Sequence, residues 1–540
     1  MPKHMTIILA ASNHMADSAY ASQMIPIRGK PALAWVNESC DGGTNIVVLD
    51  ASNKTTINYF SACYPNTTRA LINPNEHTDF SILSSLLCGL NHAKKTTQPV
   101  RIVLGDTLLD QSTIPPNTDC ILVSDNFSDS TRWCLVNCTR DGYIKRFFDK
   151  QNVDKTDKFA LVGVYQFTDF ALLKQCVADA IKSGRRNISD VLAQYNKTHK
   201  IRVVPTKQWF DLGHKSGIIS AQNHLFNSRS FNSLHADPVL GIMTKASPKK
   251  QKLHDEWMWC KNLPDKLQIL CPRPIDFHQD KDLAYMTMEL YGYPALSELF
   301  ILGNLSVEEW KLILKRLFLV HREIEQFSGK LDANDFIDLY KNKTWKRFDE
   351  LLAQDKYWQK IWNMDELVIN GKKYKNIRNI ADQINHKIDK LVSNTRVTVM
   401  HGDYCFSNIL FDTHSFICRL IDPRGRLSTQ TIYGDPRYDI AKLRHSVVGL
   451  YDFVVHGMFK LTQSGNRFSF VTNAPTFHNE LCEYFDGLVR KFGYNNDEIN
   501  LIEALLFASM IPLHSDDIKR QTAFYLKAVM KLNNLVTGDK

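Results

Sequence analysis

Short apolar runs alternate with helical patterns over roughly the first 225 positions of the chain. "TIILAA", "NIVVLD", "VRIVLGD", "CILVSD", "RWCLVN" and "FALVGVYQF" are nearly continuous in apolar residues and bounded by polar turns, which predicts strands. "DFSILSSLLCGLNHAKK" and "DFALLKQCVADAIKS" carry apolar residues at helical spacing. Such alternation predicts an α/β sheet that binds ligands at the carboxyl ends of its strands. The polar stretch 223–238 loses both periods and marks a boundary. After it, "VLGIMTK", "LAYMTMELY" and "FICRLID" read as strands, whereas 305–395 and 437–535 read as mostly amphipathic helix, as in "SVEEWKLILKRLFLVHREIEQF". The expected organisation is one domain over 1–225, a linker over 226–237, and a second domain over 238–540 with a small sheet followed by a mainly helical part.

A length of 540 residues exceeds one ordinary core and agrees with two domains. With 44% hydrophobic and 23% charged residues the chain has the balance of a folded globular protein, which excludes a disordered one. The formal charge of +9 suits anionic small molecules such as nucleotides; without a long basic run, nucleic acid is not an expected partner. The twelve cysteines form no C-x-x-C pair, so reduced thiols and a cytoplasmic location are expected, with no membrane span. Homo-oligomerisation is compatible with all of this.

Chemistry enters at "VMHGDYCFSNILFD", residues 399–412. Phosphoryl transfer needs a carboxylate at the attacking hydroxyl, oxygen ligands for Mg2+, and a cation on the nucleotide phosphates. Asp403 and Asn408 have the D-x-x-x-x-N spacing in which the aspartate receives or orients the hydroxyl proton and the asparagine oxygen binds metal. "RLIDPRG" ends a second apolar strand in Asp422, where a hairpin would return a second metal carboxylate. Lys245 closes the strand "GIMTK", and Glu256 follows on a helix that would steady it against the phosphates of ATP; Asp255 is adjacent, and a solvated helix face would look similar. His401 reads as a residue that holds the loop. Arg424 can reach a phosphate or an anionic substrate, or close a salt bridge. Trp345, Phe348 and Trp358 can either cage a quaternary ammonium or pack the helices.

"HGDYCFSNILFD", "LIDPRG" and "YGDPRYDIAKL" resemble the aminoglycoside phosphotransferase and choline kinase superfamily. The resemblance implies a protein-kinase-like α+β fold with Asp403 as catalytic base and Asn408 and Asp422 as metal ligands. It also implies that Asp435 and Asp439 organise the loop. Pro423-Arg424-Gly425 departs from that family, which usually has an aromatic or acidic residue after the metal aspartate.

In the first half, "MTIILAAS", "MIPIRGKPALAWV", "IVLGD", "GYIKRFFDK", "LVGVYQF" and "WFDLGHKSGIISA" occur in the order found in sugar-nucleotide pyrophosphorylases. The resemblance implies a Rossmann-like nucleotidyltransferase domain in which Asp106 and Asp211 hold Mg2+ and Lys150 contacts the phosphate of the acceptor. The first loop departs from that family: Ser12 stands at a glycine position and Ala21-Ser22 where Pro-Lys is usual, with Arg28 a candidate replacement cation and Lys30 a residue of the turn. Together the two resemblances imply a bifunctional enzyme. It would phosphorylate a small hydroxyl compound, a sugar or amino alcohol, with ATP and join the product to a second nucleotide, CTP being favoured, for bacterial capsule or lipopolysaccharide synthesis. The alternative is a small-molecule kinase with a non-catalytic nucleotide-binding or regulatory N-terminal domain.

Overall fold

The computed structural model describes residues 4–11, 19–27, 29–40, 43–73, 81–93, 98–109, 114–127, 129–206, 208–213, 217–218, 220–221, 233–426 and 432–537. The chain divides into two compact units, Met1–Ser228 with Leu302–Asn304, and Arg229–Ile301 with Leu305–Lys540.

The first unit is built on a mixed sheet in which Thr68–Ile72, Thr44–Asp50, Met5–Ala10 and Val100–Leu104 lie parallel in that order. Phe159–Phe167 continues the sheet antiparallel to Val100–Leu104. Ile8 sits between Val47 and Val103 in the ladder, and all three are buried. Strands covered on both faces cannot alternate apolar and polar positions, which is why their sequences read as unbroken apolar runs. The helix Ile82–His92 approaches this sheet at Gly89, where a Cβ would meet Ile7 Cγ2 at 2.5 Å and Val48 Cγ2 at 3.0 Å. From Met5–Ala10 the chain moves to one side of the sheet and then returns to the other, so the direction of winding reverses between Met5–Ala10 and Val100–Leu104. Ligands bind at such a reversal, beyond the carboxyl ends of the strands.

The second unit opens with an antiparallel sheet in the order Ser233–Asp237, Ile242–Ser247, Ala284–Glu289, Pro274–Gln279. The stretch expected as a linker therefore contains a strand, because the backbone of Ser233–Asp237 pairs with Ile242–Ser247 across a tight turn. The helix Lys250–Asn262 follows the Lys245 strand. A hairpin joins Ile409–Asp412 to Ile417–Leu420, and most of the remainder is helical. The helix Val307–Ile324 starts at a capping box in which Ser306 and Glu309 satisfy each other's backbone N–H groups.

The helical expectation for 305–395 and 437–535 needs one correction. Glu366–Ile369 and Lys372–Lys375 form a hairpin, as do Phe459–Ser464 and Arg467–Thr472, and the two hairpins join in a second four-stranded sheet. The signal was the dipeptide Asn370-Gly371, whose φ values of 51° and 86° are those of a tight hairpin turn.

The loop 400–408 is tied down from the helix Pro436–Val447. Asp439 accepts the backbone N–H groups of His401 and Gly402 at 2.7 and 2.8 Å, and Asp435 caps the helix by accepting from Arg437 N at 3.0 Å. Gly402, at φ 77°, leaves room for Arg424, whose Cβ would lie 2.6 Å from an added methyl.

Two stability predictions arise here. Asp439→Ala leaves two buried N–H donors without an acceptor and should cost about 3 kcal/mol in denaturant unfolding of the second unit; an unchanged midpoint would contradict the loop's dependence on it. In Gly105→Ala the new Cβ would meet Ala10 Cβ at 2.8 Å and Leu9 O at 2.9 Å. A loss of about 1–3 kcal/mol from the first unit is expected, read as an earlier unfolding transition.

Candidate active sites

In the second unit, strand pairing accounts for the spacing between Asn408 and Asp422. Ile409 pairs with Leu420, and Ile421 N donates to Asn408 O at 3.0 Å, so the residue before the hairpin and the residue after it come together. Asn408 Nδ2 donates to Asp403 Oδ2 at 2.9 Å and to Asp403 O at 3.0 Å. The amide nitrogen is thereby held by Asp403, while the side-chain oxygen accepts from Ser407 Oγ at 3.3 Å. Asp422 has a φ of 53°, an uncommon left-handed conformation for a residue with a Cβ.

Lys245 Nζ lies 2.7 Å from Glu256 Oε2 and 2.8 Å from Asp422 Oδ1. Burial alone would lower the ammonium's pKa, but Asp422 and Glu256 outweigh it and hold the group above its ordinary value. Asp255 makes a different connection, to Arg426 at 3.0 Å, so the adjacent carboxylates of the helix divide between the lysine and the loop after the hairpin. Trp259 on the same helix donates to Met400 O at 2.9 Å. The strand, the helix and both loops are thus connected through named contacts.

Sequence reasoning missed Lys442. Its Nζ lies 2.8 Å from Asp403 Oδ1. Burial raises the Asp403 pKa, but Lys442 and the hydrogen bond from Asn408 outweigh it and keep the carboxyl below the ordinary range. The residue stood in the quoted "YDIAKL", one helical turn beyond Tyr438, but nothing in the spacing alone showed that this turn faces Asp403. His401 is fully buried, its pKa is lowered to about 4 by burial, and its Nδ1 accepts the Asp403 N–H at 3.3 Å; it supports the loop as a neutral ring. Phe348 and Trp358 are buried, and Trp345 Nε1 donates to Asn385 Oδ1 at 2.8 Å, so these aromatics pack helices rather than form a cage.

In the first unit, Trp209–Asp211 pairs antiparallel with Thr107–Leu109, Asp211 opposite Thr107, and Leu212 N donates to Asp106 O at 2.8 Å. Asp106 Oδ2 and Asp211 Oδ1 both converge on Gly213, each 3.1 Å from where its Cβ would stand. A cavity of about 220 Å³ at the winding reversal is lined by Ala10, Ala11, Ser22, Gln23, Gly105 and Asp106 among others. Trp133 Nε1 donates to Asp211 Oδ2 at 3.1 Å. Lys150 is exposed, and among the described residues its ammonium makes no ion pair; its backbone N–H donates to Trp133 O at 3.3 Å. Lys30 is engaged with Glu38 at 2.8 Å. Ser12 and Arg28 lie outside the described residues.

Among the described residues no three His, Cys, Asp or Glu side chains converge as a metal cage. Both sites instead offer a few oxygens, Asn408 with Asp422 and Asp106 with Asp211. That donor set fits Mg2+, which retains waters and takes further oxygens from nucleotide phosphates. Among the described residues no helix is long and apolar enough to cross a membrane.

Comparison with known proteins agrees with this division. Residues 239–452 match the model of the phosphotransferase enzyme family, and residues 116–228 match that of the nucleotidyl transferases. No curated protein matches the chain. Among solved structures, a candidate glucose-1-phosphate thymidylyltransferase from Bacillus anthracis in complex with sucrose is 15% identical, covering 42% of this chain and 97% of its own at a TM-score of 0.34. An aminoglycoside-3'-phosphotransferase of type VIII is also 15% identical, covering 50% of this chain and 84% of its own at a TM-score of 0.31. The chain is an enzyme that joins a nucleotidyl transferase domain to a domain of the phosphotransferase enzyme family.

Proposed function

We propose that the second unit phosphorylates a small hydroxyl compound with ATP and that the first unit transfers a nucleotidyl group to the product. The observation that carries the kinase reading is Lys245, fixed at 2.7 Å from Glu256 and 2.8 Å from Asp422, on the loop that the hairpin returns to Asn408. Lys245 would meet the nucleotide phosphates, and Glu256 would hold it there. Asn408 and Asp422 would hold Mg2+, which when bound neutralises charge between the phosphates. Asp403, kept ionised by Lys442, orients the acceptor hydroxyl and receives its proton. The bond from acceptor oxygen to γ-phosphorus forms as the bond to the β–γ bridging oxygen breaks, and ADP leaves.

In the first unit the phosphomonoester oxygen would attack the α-phosphorus of a second nucleoside triphosphate, CTP being favoured, and pyrophosphate would leave. Asp106 and Asp211 would hold Mg2+ there, and Lys150 would meet the acceptor phosphate once it is bound. Fusion of the two steps raises the local concentration of the intermediate. Supply of an activated precursor for bacterial capsule or lipopolysaccharide synthesis in the cytoplasm is the role that fits this pair of reactions. A second reading rests on Ala21 and Ser22. Ala21 is fully buried, and no cation stands at either position. If this loop cannot bind a triphosphate, the first unit is a binding or regulatory module for the kinase.

Separate assays of ADP and pyrophosphate, with a pool of hydroxylated metabolites as acceptors, decide between these readings. Asp403→Asn should lower ADP formation at least about a hundredfold while nucleotide still binds; normal turnover would sink the kinase assignment. Asp106→Ala should stop pyrophosphate release and leave ADP formation intact. A wild-type protein that forms ADP and never pyrophosphate, with every nucleoside triphosphate tried, would favour the regulatory module.

A further inference from the structure

Asp403 opens onto a cavity of about 320 Å³ whose lining includes Lys343, Tyr438, Lys442, His445 and His514. Lys442 is committed to Asp403. Lys343 is not committed to any acid: its Nζ meets the Tyr438 hydroxyl at 3.2 Å and lies 5.6 Å from the centre of that ring. Arg424 converges on the same phenol from the loop after the hairpin, with Nη1 at 3.5 Å from the hydroxyl and the guanidinium 5.9 Å from the ring. Among the described residues neither cation forms an ion pair. The segment 427–431, Leu-Ser-Thr-Gln-Thr, contains no acidic residue to offer one. Burial lowers the Lys343 ammonium below its ordinary value; Arg424 and Lys442 add to the fall, and only Tyr438 opposes it. Burial would raise the Tyr438 phenol, but Lys343, Arg424 and Lys442 outweigh it and bring the phenol down to about 8. His445 and His514 are held below their ordinary values by burial, and so add no charge at neutral pH.

Lys343, Lys442 and Arg424 thus gather at Tyr438, with Asp403 the carboxylate among the described residues that lines this cavity; Lys343 and Arg424 also line a neighbouring cleft that holds Asp335, Asp338 and Glu350 together with Lys346 and Arg347. Gathering like charges around one phenol is unfavourable unless an anion joins them. The backbone also departs from regular helix here. Asp338–Asn342 is a π-helical turn immediately before Lys343, the kind of irregularity that re-aims side chains at functional sites. Gly402 exists in the form that lets Arg424 approach the catalytic loop, since a Cβ there would collide with it. Tyr438 and Lys442 are one helical turn apart, about 5–6 Å. The cation cluster and Asp403 are therefore joined through one face of the helix Pro436–Val447, Lys343 and Arg424 at Tyr438 and Asp403 at Lys442.

We propose that the phosphoryl acceptor is an anion, a hydroxy compound bearing a carboxylate or phosphate ester that Lys343 and Arg424 bind while its hydroxyl lies at Asp403. This rests on the kinase reading above and narrows it to hydroxy acids and sugar phosphates, away from amino alcohols and neutral polyols. A cationic acceptor would meet repulsion from Lys343, Arg424 and Lys442, whereas an anion satisfies two cations that no acid among the described residues pairs.

The test uses the full-length protein with Mg·ATP and reads ADP release on matched sets: glycerol, glycerate, glycerol 3-phosphate and ethanolamine; glucose, gluconate, glucose 6-phosphate and glucosamine. Turnover confined to anionic members is expected, and the carboxylate and phosphate arms tell the two sources apart. Lys343→Met and Arg424→Met should each raise KM for the favoured member by about tenfold or more, the rise falling on the acceptor and not on ATP. Preference for a neutral or cationic member, or an acceptor KM unchanged in both variants, overturns the proposal. Sulfate supplies a readout independent of turnover: it should raise the Tm of the wild type more than that of either variant. Equal shifts in all three overturn the anion site even where no member of the panel is phosphorylated, while loss of ADP release by Asp403→Asn judges the kinase reading separately.

Discussion

The second unit depends on a single buried ammonium. Lys245 belongs to the sheet, Glu256 to the helix behind it, and Asp422 to the loop after the hairpin, and the lysine lies within 2.8 Å of both acids. An ammonium removed from water is costly unless it is paired and hydrogen-bonded, so the fold must bring these three segments to one point or leave a charge unsatisfied. The requirement that makes the pair a structural clamp also makes it useful: a cation whose position is fixed by two elements needs little rearrangement to meet a phosphate. The remaining contacts extend from this point. Trp259 ties the helix to Met400, and Ile421 N joins the loop after the hairpin to Asn408. Asp439 then holds the loop that carries Asp403.

Much of this was legible in the sequence, for identifiable reasons. The central strands of the first unit are buried on both faces, and burial leaves short unbroken apolar runs bounded by polar turns. Thr68–Ile72 escaped notice because it lies at an edge, where Leu71 stays exposed and the run is short. The spacing of Asp403 and Asn408 and the strand ahead of Asp422 are local facts, and local facts survive in sequence. Lys442 and Lys343 did not stand out, because their meaning comes from tertiary contact. Lys343 reaches Tyr438 across almost a hundred positions through a π-helical turn that no periodicity announces. The turn at Asn370-Gly371 carried a readable signal that the surrounding helical pattern obscured.

The two units place their chemistry by different means. In the first, parallel strands wind in opposite directions from Met5–Ala10, and Gly105 allows Asp106 to follow the strand end closely enough to converge with Asp211 on Gly213. In the second, a hairpin returns Asn408 and Asp422 to one point, and a helix contributes both Tyr438 and Lys442. Among the described residues neither unit supplies a full metal cage. In the proposed reactions each would leave coordination to be completed by phosphates and water, which would couple metal binding to the presence of nucleotide. The positive pocket at Tyr438 gives the second unit a preference that the phosphotransferase machinery alone would not confer, and a fold shared by many enzymes acquires its substrate through such side chains.

Sequential action of the two units on one compound can be followed in a single phosphorus NMR time course. The full-length protein would be followed with Mg2+, ATP, CTP, UTP, GTP and a pool of hydroxy acids and sugar phosphates. A new phosphomonoester with ADP is expected first, followed by a diphosphodiester with pyrophosphate as one of the other nucleotides declines. Pyrophosphate and a nucleotide adduct appearing without any prior phosphomonoester or ADP would contradict sequential action.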